Sequence, residues 1–223
     1  MMAYYEDLTP YEYGQCYDDK TVNIGWIDEI HPYPQGKVTE EFVLSLWEYI
    51  KYPINQTRGV YHNKRLDPQT TFHIAHYEGY HMTLGDAEIR VVDVENDLIY
   101  AAPNLILHYI ITHQYLPPDQ FINAVIKGPK PNSDIYSQSM SKLFRFGNKY
   151  YHGLRKNLEC KFCSSNYGNL GHSHVKDASV KSSQIIINTF KPDYDDLDKE
   201  KLYYNFICED CGKVSEIPDS KFD

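Results

Sequence analysis

Two pairs of cysteines, each with two residues between them, constrain this chain more than any other feature. The pairs are Cys160 with Cys163 and Cys208 with Cys211, and Gly212 follows the second pair. This spacing lets one tight turn point both sulfurs at a single ion, and two such turns supply the four ligands of a closed zinc site. The glycine relieves the backbone where the chain curls under the ion. We therefore predict one structural zinc ion bound by Cys160, Cys163, Cys208 and Cys211.

Two other states of these cysteines are chemically open: a pair of disulfides, or four free thiols. The 44 residues between Cys163 and Cys208 exceed the usual loop of a zinc finger, so an insertion must separate the two turns. A site with four protein ligands has no open position for a substrate. Such a site stabilises a fold and does not catalyse a reaction.

The composition is typical of a globular protein of one large or two modest domains: 42% of the 223 residues are hydrophobic and 24% are charged. The chain has no apolar run of about 18 residues, and its first residues lack the basic and apolar regions of a signal peptide. We therefore expect no membrane segment. Cysteines at zinc spacing without an export signal favour a reducing, cytoplasmic location.

The charge is unevenly distributed along the chain. Residues 1–128 contain 18 acidic and 8 basic residues, a net of −10, whereas residues 129–223 contain 13 and 14, a net of +1. Within the second part, residues 142–181 are locally basic around the first cysteine pair. The acidic first part suits a protein partner with a basic surface. The 21 tyrosines of the whole chain also suit a contact surface.

The pattern of residues 1–128 predicts an acidic α+β domain with helices packed on a small antiparallel sheet. Thr39 is a good N-cap for a helix that ends before Pro53. Alternation predicts a half-buried hairpin over residues 87–101. Two more helices are predicted at residues 105–113 and 119–127, and we expect the first of them to be the centre of the core.

Residues 55–84 contain four histidines that could in principle gather around a metal: His62, His73, His76 and His81. Their intervals of 11, 3 and 5 residues match no established ligand pattern. A polar loop or a pair of irregular strands is the favoured interpretation of this segment.

His108 and His113 lie five residues apart on a predicted helix, which places them about 140° apart around its axis. This separation makes them poor candidates for a shared metal. We expect His108 to be buried and hydrogen-bonded, and His113 to lie near the helix C-terminus, where the dipole favours a cation.

The remainder of the chain divides into a linker with a short helix over residues 129–146 and a zinc-ribbon-like β module over residues 147–223. Asp134 can cap the short helix. Residues 164–181 are predicted to be a loop. Three short strands are expected, at residues 185–187, 202–207 and 213–217.

The first part of the chain contains an ordered set of short motifs. In chain order they are Tyr5-Glu-Asp-Leu-Thr-Pro-Tyr-Glu-Tyr13, Asn23-Ile-Gly-Trp-Ile-Asp28, His31-Pro-Tyr-Pro-Gln-Gly36, Gln56-Thr-Arg-Gly59, Ala87-Glu-Ile-Arg-Val91, Tyr100-Ala-Ala-Pro-Asn-Leu-Ile106, His108-Tyr109, His113 and Tyr115-Leu-Pro-Pro118. This set resembles the motifs of an uncharacterised family of small bacterial proteins. The resemblance covers about residues 1–128 and implies no established activity. Many members carry a C-x-x-C after the Arg-Gly, but this chain has Tyr61-His-Asn-Lys-Arg65 there. The zinc-ribbon-like module with the four cysteines (the cysteine module, residues 147–223) lies outside the resemblance.

The function that these features favour is that of a non-enzymatic, zinc-binding interaction protein, for which an immunity or antitoxin-like protein that covers a cationic partner is one form. The alternative is a nucleic-acid-binding protein that uses the basic stretch around the zinc ribbon. An enzyme is the third class, but the chain has no P-loop, dinucleotide fingerprint, G-x-S-x-G or H-E-x-x-H motif. Asp86 and Glu88 near Arg90 could form a nuclease-like cluster, although solvated charges beside a hairpin are commoner.

Overall fold

The structure, a computed structural model, describes residues 4–12, 20–28, 30–57, 59–61, 63, 66–68, 72–147, 159–165, 168–178, 182–189, 201–208 and 210–221. This part of the chain is a mixed α+β structure with four α-helices and two β-sheets. In chain order the elements are β1 (Thr21–Asn23), α1 (Glu40–Ile50), β2 (His73–Tyr77), β3 (Tyr80–Leu84), β4 (Glu88–Asp93), β5 (Leu98–Pro103), α2 (Ile106–His113), α3 (Asp119–Lys127), α4 (Asp134–Gly147), β6 (Gly168–Lys176), β7 (Ile186–Thr189), β8 (Leu202–Cys208) and β9 (Val214–Pro218).

The smaller sheet has three strands in the order β1-β5-β4. Strands β4 and β5 are antiparallel and form the predicted hairpin, whereas β1 runs parallel to β5. The expectation of a purely antiparallel sheet is therefore wrong. The expectation of a half-buried β4 is also wrong, because all six of its residues are buried.

The helices of the first part lie close to their predicted positions. Thr39 caps α1 by accepting a hydrogen bond from the Phe42 amide at 3.2 Å, and α3 begins and ends at the predicted residues. The first five residues of α2 are buried. Four of them, all except His108, share the main core with Trp47 of α1 and with β4 and β5, which confirms α2 as a central element of that core.

The larger sheet has six strands, all antiparallel to their neighbours, in the order β7-β2-β3-β6-β8-β9. Strands β2 and β3 form a regular hairpin whose turn residues, Glu78 and Gly79, both have positive φ, as in type I′ turns. The predicted loop over residues 164–181 is wrong in its central part. There β6 pairs with β8 on one side and with β3 on the other.

This larger sheet takes strands from both sides of the domain boundary predicted at residue 128, and so does the main core. Ile207 of β8 and Val214 of β9 are buried in the same cluster as Trp47 and Leu46 of α1. The Asn205 side chain also donates a hydrogen bond to the Lys51 carbonyl at 3.3 Å, which ties β8 to the end of α1. The last four strands are thus packed against the first part of the chain.

Within the described residues, no helix has both the length and the apolar character that crossing a membrane would require.

Candidate metal centres

The four predicted cysteine ligands come together at one end of the larger sheet. Cys208 is the last residue of β8, and the turn that contains Cys211 leads directly into β9. The other pair precedes β6, whose first residue, Gly168, is paired with Cys208. The pairing of β6 with β8 therefore brings two turns together that are far apart in sequence.

The two cysteine turns have the same backbone hydrogen-bond pattern. In the first, the Cys160 amide donates to the Ser165 carbonyl at 2.8 Å, and the Ser164 amide donates to the Cys160 carbonyl at 3.0 Å. In the second, the Cys208 amide donates to the Lys213 carbonyl at 3.0 Å, and the Gly212 amide donates to the Cys208 carbonyl at 2.9 Å. Ser164 and Gly212 occupy equivalent positions, with φ of 58° and 69°. We call these two turns the first knuckle (residues 160–165) and the second knuckle (residues 208–213).

The spacing of the sulfurs fits a single ion. The Sγ atoms of Cys160 and Cys211 are 3.6 Å apart, as are those of Cys163 and Cys208, and all four lie within 4.8 Å of one another. A disulfide would bring two sulfurs to about 2.05 Å. A tetrahedral ion with bonds of about 2.3 Å would hold them about 3.8 Å apart. The four cysteines are free thiols that lie close enough together to bind a metal ion.

The electrostatics of the cluster also favour a cation at its centre. Burial raises the pKa of Cys160, but the backbone amides of Phe162 and Cys163 and the neighbouring sulfurs outweigh it and hold this pKa at about 7. Burial and the neighbouring sulfurs raise the pKa of Cys211 to about 12. Four thiolates this close repel one another, and a divalent ion removes that repulsion.

The second knuckle is fixed to the start of α4. The Val214 amide donates to the Asn132 side chain at 2.9 Å, and Lys213 forms a salt bridge with Asp134 at 3.0 Å. The first knuckle is joined to β9, because the Lys161 amide donates to Ser215 Oγ at 3.2 Å. The cluster is therefore attached to the rest of the protein through its backbone as well as through its strands.

Three of the four histidines in residues 55–84, namely His73, His76 and His81, are divided between the two faces of the larger sheet. His73 and His76 are three residues apart on β2, so they point to opposite faces. On one face His76 Nδ1 lies 2.8 Å from His81 Nδ1 of the neighbouring strand. Burial lowers the pKa of both of these imidazoles, with a further lowering of the His76 pKa by His81. His62 lies outside the described residues.

On the other face, His73 belongs to a second cluster that the sequence did not predict. His108 Nε2 lies 2.9 Å from Asp67 Oδ2, His113 Nε2 lies 3.1 and 3.2 Å from the two Asp67 oxygens, and His73 Nε2 lies 3.7 Å from Oδ2. We call Asp67, His73, His108 and His113 the histidine cluster. The prediction of a buried, hydrogen-bonded His108 is confirmed, since its side chain is 2% exposed.

The structure corrects the angular argument about α2. His108 and His113 point their Nε2 atoms at each other across 3.2 Å. His113 is the last residue of the helix, as expected, and Gln114 after it adopts the left-handed conformation. Long side chains at a helix end can converge although their Cα atoms are far apart around the axis. No spacing rule in the sequence indicates the complete histidine cluster, because Asp67 and His73 come from other segments than α2.

The charged residues at the start of β4 form no solvated cluster. Asp86, Glu88 and Arg90 are all buried, so the expectation of solvated charges is wrong. Arg90 pairs with Glu88 at 2.6 Å, and the Tyr11 hydroxyl donates to the same carboxylate at 2.8 Å. The Arg90 guanidinium lies 4.6 Å from the centre of the Tyr11 ring. Glu88, Arg90 and Tyr11 therefore form a buried network in which the charges of Glu88 and Arg90 compensate each other.

Comparison with known proteins places the first part of the chain. A family model described as a domain of unknown function, DUF7919, matches residues 3–126. This range contains the whole histidine cluster and ends before the first knuckle. Neither the curated proteins nor the solved structures give a match to the chain. Since the matched range covers more than half of the sequence, the chain belongs to the DUF7919 family.

Proposed function

We propose that this chain is a zinc-stabilised, non-enzymatic interaction protein. In this proposal Cys160, Cys163, Cys208 and Cys211 hold one structural Zn²⁺ in a zinc-ribbon-like module. The acidic first part of the chain binds a protein partner with a basic surface. The observation that carries the zinc assignment is the identical backbone pattern of the two knuckles, which presents four sulfurs at a common centre.

Four thiolates are the ligand set that favours zinc over harder cations such as magnesium or calcium. They also fill a tetrahedral site completely, so the ion stabilises the structure and has no open position for catalysis. The first knuckle leads into β6 and the second joins β8 to β9. A zinc ion there would fix the end of the larger sheet.

The zinc assignment is tested by metal analysis of the purified full chain and of Cys208→Ser. We expect the substitution to remove one tightly bound zinc ion per chain. A Lys161→Ala variant, which changes the first knuckle but keeps all four sulfurs, is the control and should retain that ion. Equal zinc contents in the wild type and Cys208→Ser would contradict the assignment.

The surface near the N-terminus supports the partner half of the proposal. Tyr4, Leu8 and Ile30 are exposed apolar side chains there, with Ile30 77% exposed, and Glu6 is exposed among them. The Tyr4 ring stacks on His31 at 3.8 Å. Burial and the charges of nearby carboxylates, Glu6 first among them, raise the pKa of Tyr4. Apolar side chains in a negative field suit a basic partner.

The partner proposal is tested by affinity capture with the full chain at low and high salt. Glu12 is a second exposed carboxylate of the acidic first part. The charge-reversed variant Glu6→Lys with Glu12→Lys should capture the partner more slowly and with a weaker salt dependence. Glu159→Lys, a reversal beside the first knuckle, is the control and should behave like the wild type. Capture that is indifferent to the Glu6 and Glu12 reversals and to salt would contradict an electrostatic mode of binding.

The nucleic-acid alternative depends on the basic stretch around the first knuckle. Its residues Arg155 and Lys156 lie outside the described residues, and Lys176 is paired with Glu216. A fluorescence anisotropy titration of the full chain with mixed DNA and RNA at low salt distinguishes the two functions. Binding that Arg155→Glu with Lys156→Glu abolishes would favour the alternative over protein capture.

A further inference from the structure

The histidine cluster brings together four side chains from three separate segments of the family domain. Asp67 lies in the segment before β2, His73 is the first residue of β2, and His108 and His113 belong to α2. His73 is fully buried, and the side chains of Asp67 and His113 are 11% and 16% exposed. Three imidazoles and one carboxylate are thus held together with little access to bulk water.

Three polar atoms of the cluster cannot all be paired by hydrogen bonds among themselves. His108 Nε2, His113 Nε2 and Asp67 Oδ2 form a triangle with sides of 2.9, 3.2 and 3.2 Å, each an ordinary hydrogen-bond length. If both imidazoles donated to this oxygen, their two hydrogens would be crowded together. If only one donated, the lone pair of the other nitrogen would face the carboxylate, and if neither donated, three lone pairs would face one another. A cation among these atoms is a partner for all three lone pairs.

The same distances match those around one metal ion. With bonds of about 2.0–2.1 Å to nitrogen and oxygen, the ligand atoms of a tetrahedral site lie about 3.3 Å apart. The ligand atoms of Asp67, His73 and His108 all lie within 4.8 Å of one another, and His113 Nε2 is within 3.2 Å of two of these residues. We propose that Asp67, His73, His108 and His113 bind a second divalent transition-metal ion of the zinc class, separate from the ion at the four cysteines.

Neighbouring groups hold two of the ligands in a suitable orientation. Thr112 Oγ1 lies 3.1 Å from His108 Nδ1, so the hydroxyl can accept the Nδ1 proton and leave the Nε2 lone pair facing the site. The Asp67 amide donates to the Asn63 carbonyl at 2.8 Å, and the Leu66 amide donates to Asn63 Oδ1 at 3.2 Å. The buried Asn63 thus fixes the turn that presents the carboxylate.

The chemistry of the ligands selects the ion. Imidazole nitrogen suits zinc and the neighbouring transition metals, whereas magnesium and calcium prefer sites composed of oxygens. A single carboxylate among three imidazoles supplies a net charge of −1, which partly compensates a divalent ion. Such an ion would join α2 to β2, and therefore join the helix to the larger sheet. The inference concerns the family domain and is independent of the cysteine module.

The test is the zinc content of the full chain after saturation with Zn²⁺ alone and removal of excess ion. The wild type should hold two ions per chain. Asp67→Asn, which preserves the size of the side chain, and His73→Gln should each hold one. His76→Gln is the matched control, because it changes a histidine on the opposite face of the same strand, and it should hold two.

Cobalt substitution separates loss of the site from loss of folding. In Co²⁺-loaded Asp67→Asn, the thiolate charge-transfer bands of the cysteine site should be unchanged, whereas the weaker visible bands of a nitrogen- and oxygen-ligated ion should be lost. These retained thiolate bands show that the cysteine site and the end of the larger sheet that carries it are intact, so the loss is confined to the histidine cluster. The proposal is overturned if Asp67→Asn binds as many ions as the wild type, or if His76→Gln loses an ion while Asp67→Asn does not.

Discussion

Gly212 of the second knuckle lies directly against the main chain of Ser137 in α4. A Cβ atom at this glycine would come within 2.3 Å of the Ser137 carbonyl oxygen, and the glycine itself has a φ of +69°. Both the close approach and the left-handed backbone require glycine at this position. The equivalent position of the first knuckle is Ser164, which has a similar φ of 58° but carries a side chain.

We therefore expect opposite results from exchanges at these two positions. Gly212→Ala should destabilise the protein by about 1–3 kcal/mol for the backbone conformation, with a further cost for displacing α4. Ser164→Gly should leave stability unchanged or raise it slightly, because it removes a side chain from a left-handed residue. Chemical denaturation of the zinc-loaded proteins provides both values. Similar stabilities for Gly212→Ala and the wild type would show that the knuckle is not fixed against α4.

Local signals in the sequence were sufficient to predict two helix starts and the four candidate cysteine ligands, because these features depend on chemistry within a few residues. The Thr39 cap and the proline before Asp119 each mark a helix start, because capping and fixed φ act within one turn. The cysteine spacing indicated which four side chains belong together, since each knuckle is a six-residue unit with its own hydrogen bonds.

Features that depend on tertiary contacts were not predictable from local patterns. Strand β6 contains two glycines and lacks clear alternation, and its pairing with β3 and β8 makes it a strand. The histidine cluster requires Asp67, β2 and α2 to be brought together by folding. Glu88 and Arg90 have the alternation of an exposed strand face, but Tyr11 and Tyr136 cover them.

Ile106, at the first turn of α2, is fully buried in the main core. Ile106→Ala should lower the free energy of unfolding by about 2–5 kcal/mol, because it removes packed methyl groups and leaves a cavity. Ile111 is on the same helix but 39% exposed, so Ile111→Ala should cost less than about 1 kcal/mol. Urea denaturation of both variants measures the difference. Equal costs would mean that α2 does not have its buried face at Ile106.

The buried pair of Glu88 and Arg90 predicts a large effect from a small change. Glu88→Gln preserves the shape of the side chain but leaves the Arg90 guanidinium without a compensating charge in a site where both side chains are 4% exposed. Breaking a buried pair in this way typically costs about 3–5 kcal/mol. Glu95→Gln, on the exposed turn after β4, is the control and should leave the unfolding midpoint unchanged. A Glu88→Gln protein as stable as the control would place the pair in contact with solvent.

Glu216 of β9 predicts how stability depends on pH. Its carboxylate lies 3.2 Å from His174 Nε2 and is paired with Lys176, both on β6, two strands away in the larger sheet. Burial raises the pKa of Glu216, but these two partners outweigh it and lower this pKa from 4.5 to about 2. The folded protein therefore favours the charged carboxylate. Its contribution to stability is fully present above pH 4.5 and is lost as the pH falls from 4.5 towards 2.

Glu216→Gln should consequently be less stable than the wild type at neutral pH, by about 1 kcal/mol after allowance for solvent screening. This difference should stay constant down to about pH 5 and then narrow as the wild-type carboxylate begins to take up a proton. Urea unfolding midpoints of the two proteins, measured at matched pH between 7 and about 3.5, give the difference directly. Comparison at the same pH cancels any acid-induced loss of metal, because both proteins retain the four cysteines. A difference that widens on acidification would mean that protonation of Glu216 strengthens its contacts with β6, the reverse of the expected sign.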